Sequence, residues 1–326
     1  GGVFVVGVSA YLMLRAKRMK NGEENFAMAR KSMLIGAIFG LVATLLVCIT
    51  GDGSAKHVAR SQPMKLAAME GLYEGKAGAG LTAFGILNPQ KKCYNDSVKP
   101  IIYNITFPKM LSWLSFGNTD AYVPGILNII DGGYTTSDGC TALSFKEKVE
   151  RGRMTSEALK EYRVASKEGD VAKMQQYKAV IDLHFPYFGY SYLEKPEQII
   201  PSVPLTFYSF HIMVALGALF IVLFAVTLWL LYKRKLQLTG GRWQKWFLIL
   251  SVLCIPLGYI AGQAGWIVAE VGRQPWTVQD LLPVQAAISA LDAGQVQTTF
   301  WIFAALFTLL FAAEITIMIK LIRKGF

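Results

Sequence analysis

Four apolar runs, at residues 32–51, 205–232, 246–269 and 299–319, constrain this chain more than any other feature. Roughly 20 consecutive apolar residues are needed to cross a bilayer as a helix, and each run reaches or approaches that length. The hydrocarbon offers no water to bond backbone N–H and C=O groups, so a spanning run must satisfy them internally, as a helix. Composition agrees, with only 17% charged residues against about 25% in soluble domains. A fifth run, residues 1–14, is shorter. Its basic cluster (Arg15, Lys17, Arg18, Lys20) follows the apolar stretch instead of preceding it, and no small-residue cleavage site closes it, which excludes a signal peptide. It reads as a spanning helix cut short at its start, and the chain as part of a longer one. The predicted fold is an all-α polytopic membrane protein. Five transmembrane helices, the first truncated, carry a large extracytoplasmic loop between the second and third. The divisions fall at 1–51, 52–204 and 205–326.

A net charge of +11 raises the question of nucleic acid, and the placement of the charge answers it. The links at residues 15–31 and 233–245 and the C-terminal tail together hold 14 basic residues and two acidic ones. The remaining 19 basic and 20 acidic residues nearly cancel. The excess therefore lies on alternate connections, as the positive-inside rule requires, and it places those links in the cytoplasm and the long loop outside. The basic balance is topology and gives no nucleic-acid signal. A bacterial cytoplasmic (inner) membrane is the expected location.

Cys48 and Cys254 sit inside apolar runs, where a free thiol behaves as a small hydrophobe. Cys93 and Cys140 both fall in the outward loop, an oxidising compartment in which a disulfide between them is feasible. The loop has about 150 residues, too many for a plain link. Residues 71–85 are glycine-rich and read as flexible or turn-dense. Residues 94–141 mix short apolar runs with Gly, Pro and Asn. Residues 144–182 are rich in Lys and Glu and free of proline, which suits one or two solvated helices. Residues 185–210 cluster Phe and Tyr in the manner of an interfacial aromatic belt.

Three stretches carry residues that bear chemistry. In the first, Gln62-Pro63-Met64-Lys65-Leu66-Ala67-Ala68-Met69-Glu70, proline suits the first turn of a helix and the residues after it are strong helix formers. A short helix then starts near the membrane surface with Lys65 and Glu70 about one and a half turns apart. Its charges could simply be solvated; a partly desolvated Glu is also a suitable proton acceptor for a hydroquinone. The second stretch, Phe207-Tyr208-Ser209-Phe210-His211-Ile212-Met213, leads to Gly217. Either His211 or Met213 could ligate haem iron, but residues two apart on a helix differ by about 200°, so both cannot bind one iron. Chemistry alone favours His211. Met213 shares a face with Phe210 and Gly217, and could equally be a packed core methionine. In the third, steps of 4, 4 and 3 put Gly262, Trp266, Glu270 and Arg273 on one helical face. An ionisable residue at the edge of a span is by default a functional candidate. Arg273 could neutralise Glu270 or pair with a cofactor propionate. Pro256 is expected to kink that span, Glu314 lies near a cytoplasmic end, and His57 and His184 read as ordinary loop histidines.

Together, in this order and topology, QPxKLAAxE, FHIMV and GWxxAExGRQPW resemble the large subunit (subunit I) of cytochrome bd-type quinol oxidases. The resemblance implies an enzyme that oxidises quinol at the outer face, passes electrons through haems b to haem d, reduces O2 to water, and builds a proton gradient without pumping. Lys65 and Glu70 would contact quinol. Met213 would be an axial ligand of the low-spin haem b, overturning the chemical preference for His211. Glu270 would ligate or adjoin the high-spin haem b, with Trp266 and Arg273 beside it. His211 stands where the family pattern has Arg, which puts that residue's contact with a haem in question. The histidine partner of Met213 and the haem d site would lie in helices preceding this chain, so the fragment alone would be inactive. Implied partners are subunit II, a small single-helix subunit and membrane lipid. The rival class, a polytopic transporter or channel with an extracytoplasmic lid, predicts internal symmetry or paired broken helices. No such pattern is evident in the sequence.

Overall fold

The computed structural model describes residues 1–324 and divides into two compact units. The first comprises residues 1–49, 213–262 and those from 289 onward; the second comprises residues 50–212 and 263–288. In chain order the elements begin with α1 (Gly2–Ala16), α2 (Gly22–Ser61) and α3 (Pro63–Glu70). Next come β1 (Lys76–Ala77), β2 (Leu81–Leu87), β3 (Ile101–Phe107), α4 (Met110–Phe116), β4 (Tyr122–Val123) and α5 (Ile126–Asp131). The pair α6 (Phe145–Glu168) and α7 (Val171–His184) precedes the long α8 (Val203–Tyr232) and α9 (Arg242–Val271). The strands β5 (Trp276–Val278) and β6 (Leu282–Pro283) lead to α10 (Ala293–Lys324).

The helices α2, α8, α9 and α10, most of whose residues belong to the first unit, are each long and apolar enough to cross a membrane, and α1 is a shorter apolar helix of 15 residues. The protein is thus a membrane protein with a helical frame. Val6, Ala10, Met13, Met33, Ala37 and Phe224 are among the buried residues of its core. Close approach depends on small residues, as is usual where helices meet in lipid. A Cβ on Gly2 would lie 2.6 Å from the Gly40 backbone, and one on Gly36 would lie 2.7 Å from Val5. Gly40 itself packs against the Phe224 ring. Arg15 in the last turn of α1 and Arg323 and Lys324 in the last turn of α10 sit where cations complement the carbonyl end of the dipole. Arg30 donates to the Leu231 carbonyl in the last turn of α8, and Lys235 lies over the Trp229 ring. A reciprocal pair of hydrogen bonds between Gln237 and Gln244, at 3.0 and 2.7 Å, ties the link from α8 to α9. Pro256 lies inside the continuous helix α9.

The second unit differs from expectation in detail. The helix expected to end at residue 51 runs on to Ser61, its polar extension stitched by Lys56 and Asp52. Residues 71–85, read as turn-dense, contain β1 and β2, with Gly71 and Gly78 supplying the left-handed turns at φ 62° and 63°. β2 pairs antiparallel with β3 through a bulge between Thr82 and Phe84; β1 pairs with β4, and β5 with β6. These short two-stranded ribbons decorate an otherwise helical chain. The charged tract forms two helices. α6 opens on a reciprocal cap in which Ser144 Oγ accepts from Glu147 N–H and the Glu147 carboxylate accepts from Ser144 N–H. Only part of the aromatic tract fits a belt. Phe185–Tyr192 is a 3₁₀ turn whose Tyr190 is 4% exposed and sits 5.0 Å, centroid to centroid, from the buried Trp276. Tyr190 donates to Asp280, and Gly189 N–H donates to the Asp280 carbonyl, so this turn docks on the β5–β6 ribbon. Cys93 and Cys140 are free, exposed thiols, so the feasible disulfide is not formed. Asp96 holds the turn of Cys93 by accepting the Lys92 and Cys93 N–H groups, while Cys140 sits in a separate turn closed on Thr136.

Candidate functional site

The short helix α3 forms as its sequence predicts. Pro63 occupies the first turn, and Gly71 terminates the helix in the left-handed region with its N–H returned to the Ala67 and Ala68 carbonyls. Met64, Ala67 and Ala68 anchor one side in an apolar core of the second unit. Leu66 joins a second apolar cluster with Ala59, Ala79, Leu111 and Val123.

Lys65 and Glu70 do not pair. Five residues along a helix correspond to about 500°, which sets their side chains about 140° apart. Lys65 extends to the end of α9, where Nζ donates to the Ala269 carbonyl at 3.4 Å. Desolvation lowers its pKa, nearby Arg273 lowers it further, and Glu270 opposes both. A Cβ on Gly272 would lie 3.2 Å from Lys65 Cγ and 3.2 Å from Thr206 Cγ2. Glycine there lets the lysine stem pass. Arg273 Nη2 donates to Glu270 Oε2 at 2.6 Å, the ion pair that the three-residue spacing predicts. Lys65, Glu270 and Arg273 therefore form one cluster. Among the described residues the buried Arg273 Nε of this cluster has no hydrogen-bond partner, and neither has the buried Thr206 Oγ1. Trp266 lies on the same helix, 66% exposed.

Glu70 belongs to a different constellation. It is 4% exposed, and its Oε2 accepts the Thr82 N–H of β2 at 3.1 Å. Burial pushes its pKa from 4.5 up to about 7, against the opposing effect of that hydrogen bond. Thr82 in turn accepts a hydrogen bond at its carbonyl from His211 Nε2, at 2.8 Å. His211 Nδ1 lies 2.8 Å from the Phe207 carbonyl, and its ring lies against Phe207, tilted by 33° at 4.1 Å between centroids. Nothing in the sequence pointed to Thr82, because it acts through its backbone. Asp280 also escaped notice, its partner Tyr190 being distant along the chain, and Phe207 and Tyr190 were read only as members of an aromatic belt.

Met213 lies on α8 in the first unit and is half-buried. A Cβ on Gly217, one turn further on, would meet nothing within 4 Å, and the same holds for Gly258 and Gly262 on α9. These residues fit a flat macrocycle: a thioether beside a glycine-cleared helix face for one group, and an arginine with an unpaired Nε for a propionate of another. Among the described residues no cluster of three or more His, Cys, Asp or Glu side chains forms an all-protein metal site.

The long apolar helices define a helical membrane protein. The chain belongs to the cytochrome bd terminal oxidase subunit I family, which it matches over residues 1–326. It is 30% identical over 330 residues to cytochrome bd-II ubiquinol oxidase subunit 1 of Escherichia coli (strain K12), covering all of this chain and 60% of that protein. It is 28% identical over 327 residues to cytochrome bd ubiquinol oxidase subunit 1 of Bacillus subtilis (strain 168), covering 54% of it. The bd oxidase from Geobacillus thermodenitrificans has the same fold, with a TM-score of 0.58 at 23% identity over 99% of this chain and 55% of that one. The chain thus spans little more than half the length of these relatives. The family is one of haem-containing oxidases, and membership leaves the transporter reading without support.

Proposed function

We propose that this chain is the quinol-facing part of subunit I of a quinol:oxygen oxidoreductase in a bacterial inner membrane. The observation that carries the reading is Glu70, a buried carboxyl at the end of a short helix, with a pKa of about 7. A proton acceptor works best when its pKa lies near the operating pH, and hydroquinone must give up two protons on oxidation. Lys65 would offer an ammonium donor to a quinol oxygen, and Glu70 would take a proton and pass it to the outer face. In this reading residues 52–204 are extracytoplasmic, as the charge partition supports.

Met213 would help hold a low-spin haem b through its thioether. Glu270 would ligate or adjoin a high-spin haem b, with Trp266 beside it. A carboxylate has two oxygens, so pairing one with Arg273 leaves the other available. Arg273 would direct its unpartnered Nε to a propionate. When bound, the haems b and haem d supply electron transfer and the reduction of O2 to water; the protein's part is to position and desolvate. The gradient follows without pumping if quinol protons leave outside while those for water come from inside. Subunit II, a small single-helix subunit and lipid are the expected partners.

The test is a reduced-minus-oxidised optical spectrum of the full-length protein in membranes, with quinol oxidation measured on Glu70→Ala. A haem d band and a fall in oxidation rate of about a hundredfold are expected. Absence of the band would sink the oxidase reading, and an unchanged rate would remove Glu70 from the site.

A further inference from the structure

Thr82 links two ionisable side chains that are 141 positions apart in sequence, Glu70 and His211. A strand residue presents its N–H and C=O along the same edge. On Thr82 the N–H is taken by the Glu70 carboxyl and the C=O by the His211 ring. A carbonyl only accepts, so at each 2.8 Å contact the ring nitrogen must be the donor, Nε2 to Thr82 and Nδ1 to Phe207; a ring carrying one hydrogen makes one of the two bonds at a time, and the bond that reaches β2 is the one from Nε2. Thr82 is itself 6% exposed and lies beside the bulge, where the ladder to β3 is irregular. The groups outside the ribbon that bond its N–H and its C=O are Glu70 and His211.

Two further contacts dock the same strand on the start of α8. Leu87 N–H donates to Tyr208 Oη at 3.0 Å, and a Cβ on Gly85 would come within 2.8 Å of Phe207 Cζ. Phe207 is fully buried, and its ring supports His211 from below. Among the described residues Glu70 forms no ion pair, so the Thr82 amide is the donor that orients its carboxyl.

We infer that His211 is a positioning residue for quinol oxidation: by holding the Thr82 carbonyl, it aims the Thr82 N–H that orients the Glu70 carboxyl. This rests on the reading of Glu70 as the proton acceptor. It also gives position 211 a role toward the loop strand.

The experiment uses the full-length oxidase in membranes and three variants, His211→Leu, His211→Gln and Glu70→Gln. Leucine keeps the bulk without a donor; the glutamine amide can still donate to Thr82. Turnover at saturating quinol should fall about tenfold in His211→Leu with KM changed less than twofold, and His211→Gln should recover most of it. In infrared difference spectra, the carboxyl band abolished by Glu70→Gln should shift in His211→Leu and return in His211→Gln. If His211→Leu fails to assemble, His211→Asn, too short to reach Thr82, replaces it and is read the same way. An unmoved carboxyl band with normal turnover in the donor-less variant would overturn the inference. Normal turnover in Glu70→Gln would overturn the underlying reading instead.

Discussion

At the scale of single residues, burial and not residue type separates Glu70 from its neighbours. Its folded-state pKa of about 7 exceeds the ordinary 4.5, so the folded chain keeps the proton to higher pH than the unfolded chain does. The contribution to stability is whole below pH 4.5, declines as pH rises, and is lost above about 7. Glu70→Gln should therefore raise thermal stability at pH 8 by roughly 2–4 kcal/mol and leave it nearly unchanged at pH 4. Melting curves of the full-length protein at the two pH values measure this, and an equal effect at both would mean the carboxyl is not desolvated. The candidates were proposed from the sequence on different grounds: helical spacing put Glu270 and Arg273 on one face, whereas Met213 was preferred to His211 only through the family resemblance. Their grouping was not legible. Lys65 reaches Ala269, 204 positions away, and Glu70 depends on a backbone N–H that carries no signature in sequence.

At the scale of elements, the long apolar helices were readable because bilayer thickness fixes their length, and the solvated α6 and α7 because an uninterrupted Lys/Glu tract has few other options. The ribbons were not readable. Each strand has two to seven residues, and residues 71–85 advertise glycine, which fits a left-handed turn as well as a flexible loop. Those glycines are steric requirements at particular places. Gly272→Ala would push on Lys65 Cγ and Thr206 Cγ2, each 3.2 Å from the new methyl, and on the Val268 carbonyl at 2.5 Å. It should cost about 1–3 kcal/mol and weaken quinol binding by displacing the lysine stem. A KM for quinol within error of wild type would contradict that. Gly40→Leu, which would drive a side chain into the Phe224 ring, should lower the yield of folded protein in membranes without altering the second unit's protease resistance.

At the scale of the whole molecule, charge placement yields a topology that can be checked directly. Cys93 and Cys140 are exposed and unpaired, so a membrane-impermeant maleimide added to intact spheroplasts should label both without a reductant. Labelling only after permeabilisation would invert the orientation, and labelling only after reduction would restore the disulfide. The sequence carried the membrane frame because lipid imposes simple rules on composition and length. It carried little of the loop unit, which is held by aromatic and backbone contacts between distant segments, such as Tyr190 with Trp276 and Asp280. Within that unit the hairpin of α6 and α7 has a practical use. α7 buries no residue, and the tip at Gly169 has a left-handed backbone with nothing within 4 Å of its would-be Cβ. An epitope, a fluorophore or a rigid imaging marker inserted between Gly169 and Asp170 would meet open space and leave both caps' helices intact. That tip offers a handle for following the protein that leaves the residues of the proposed quinol site untouched.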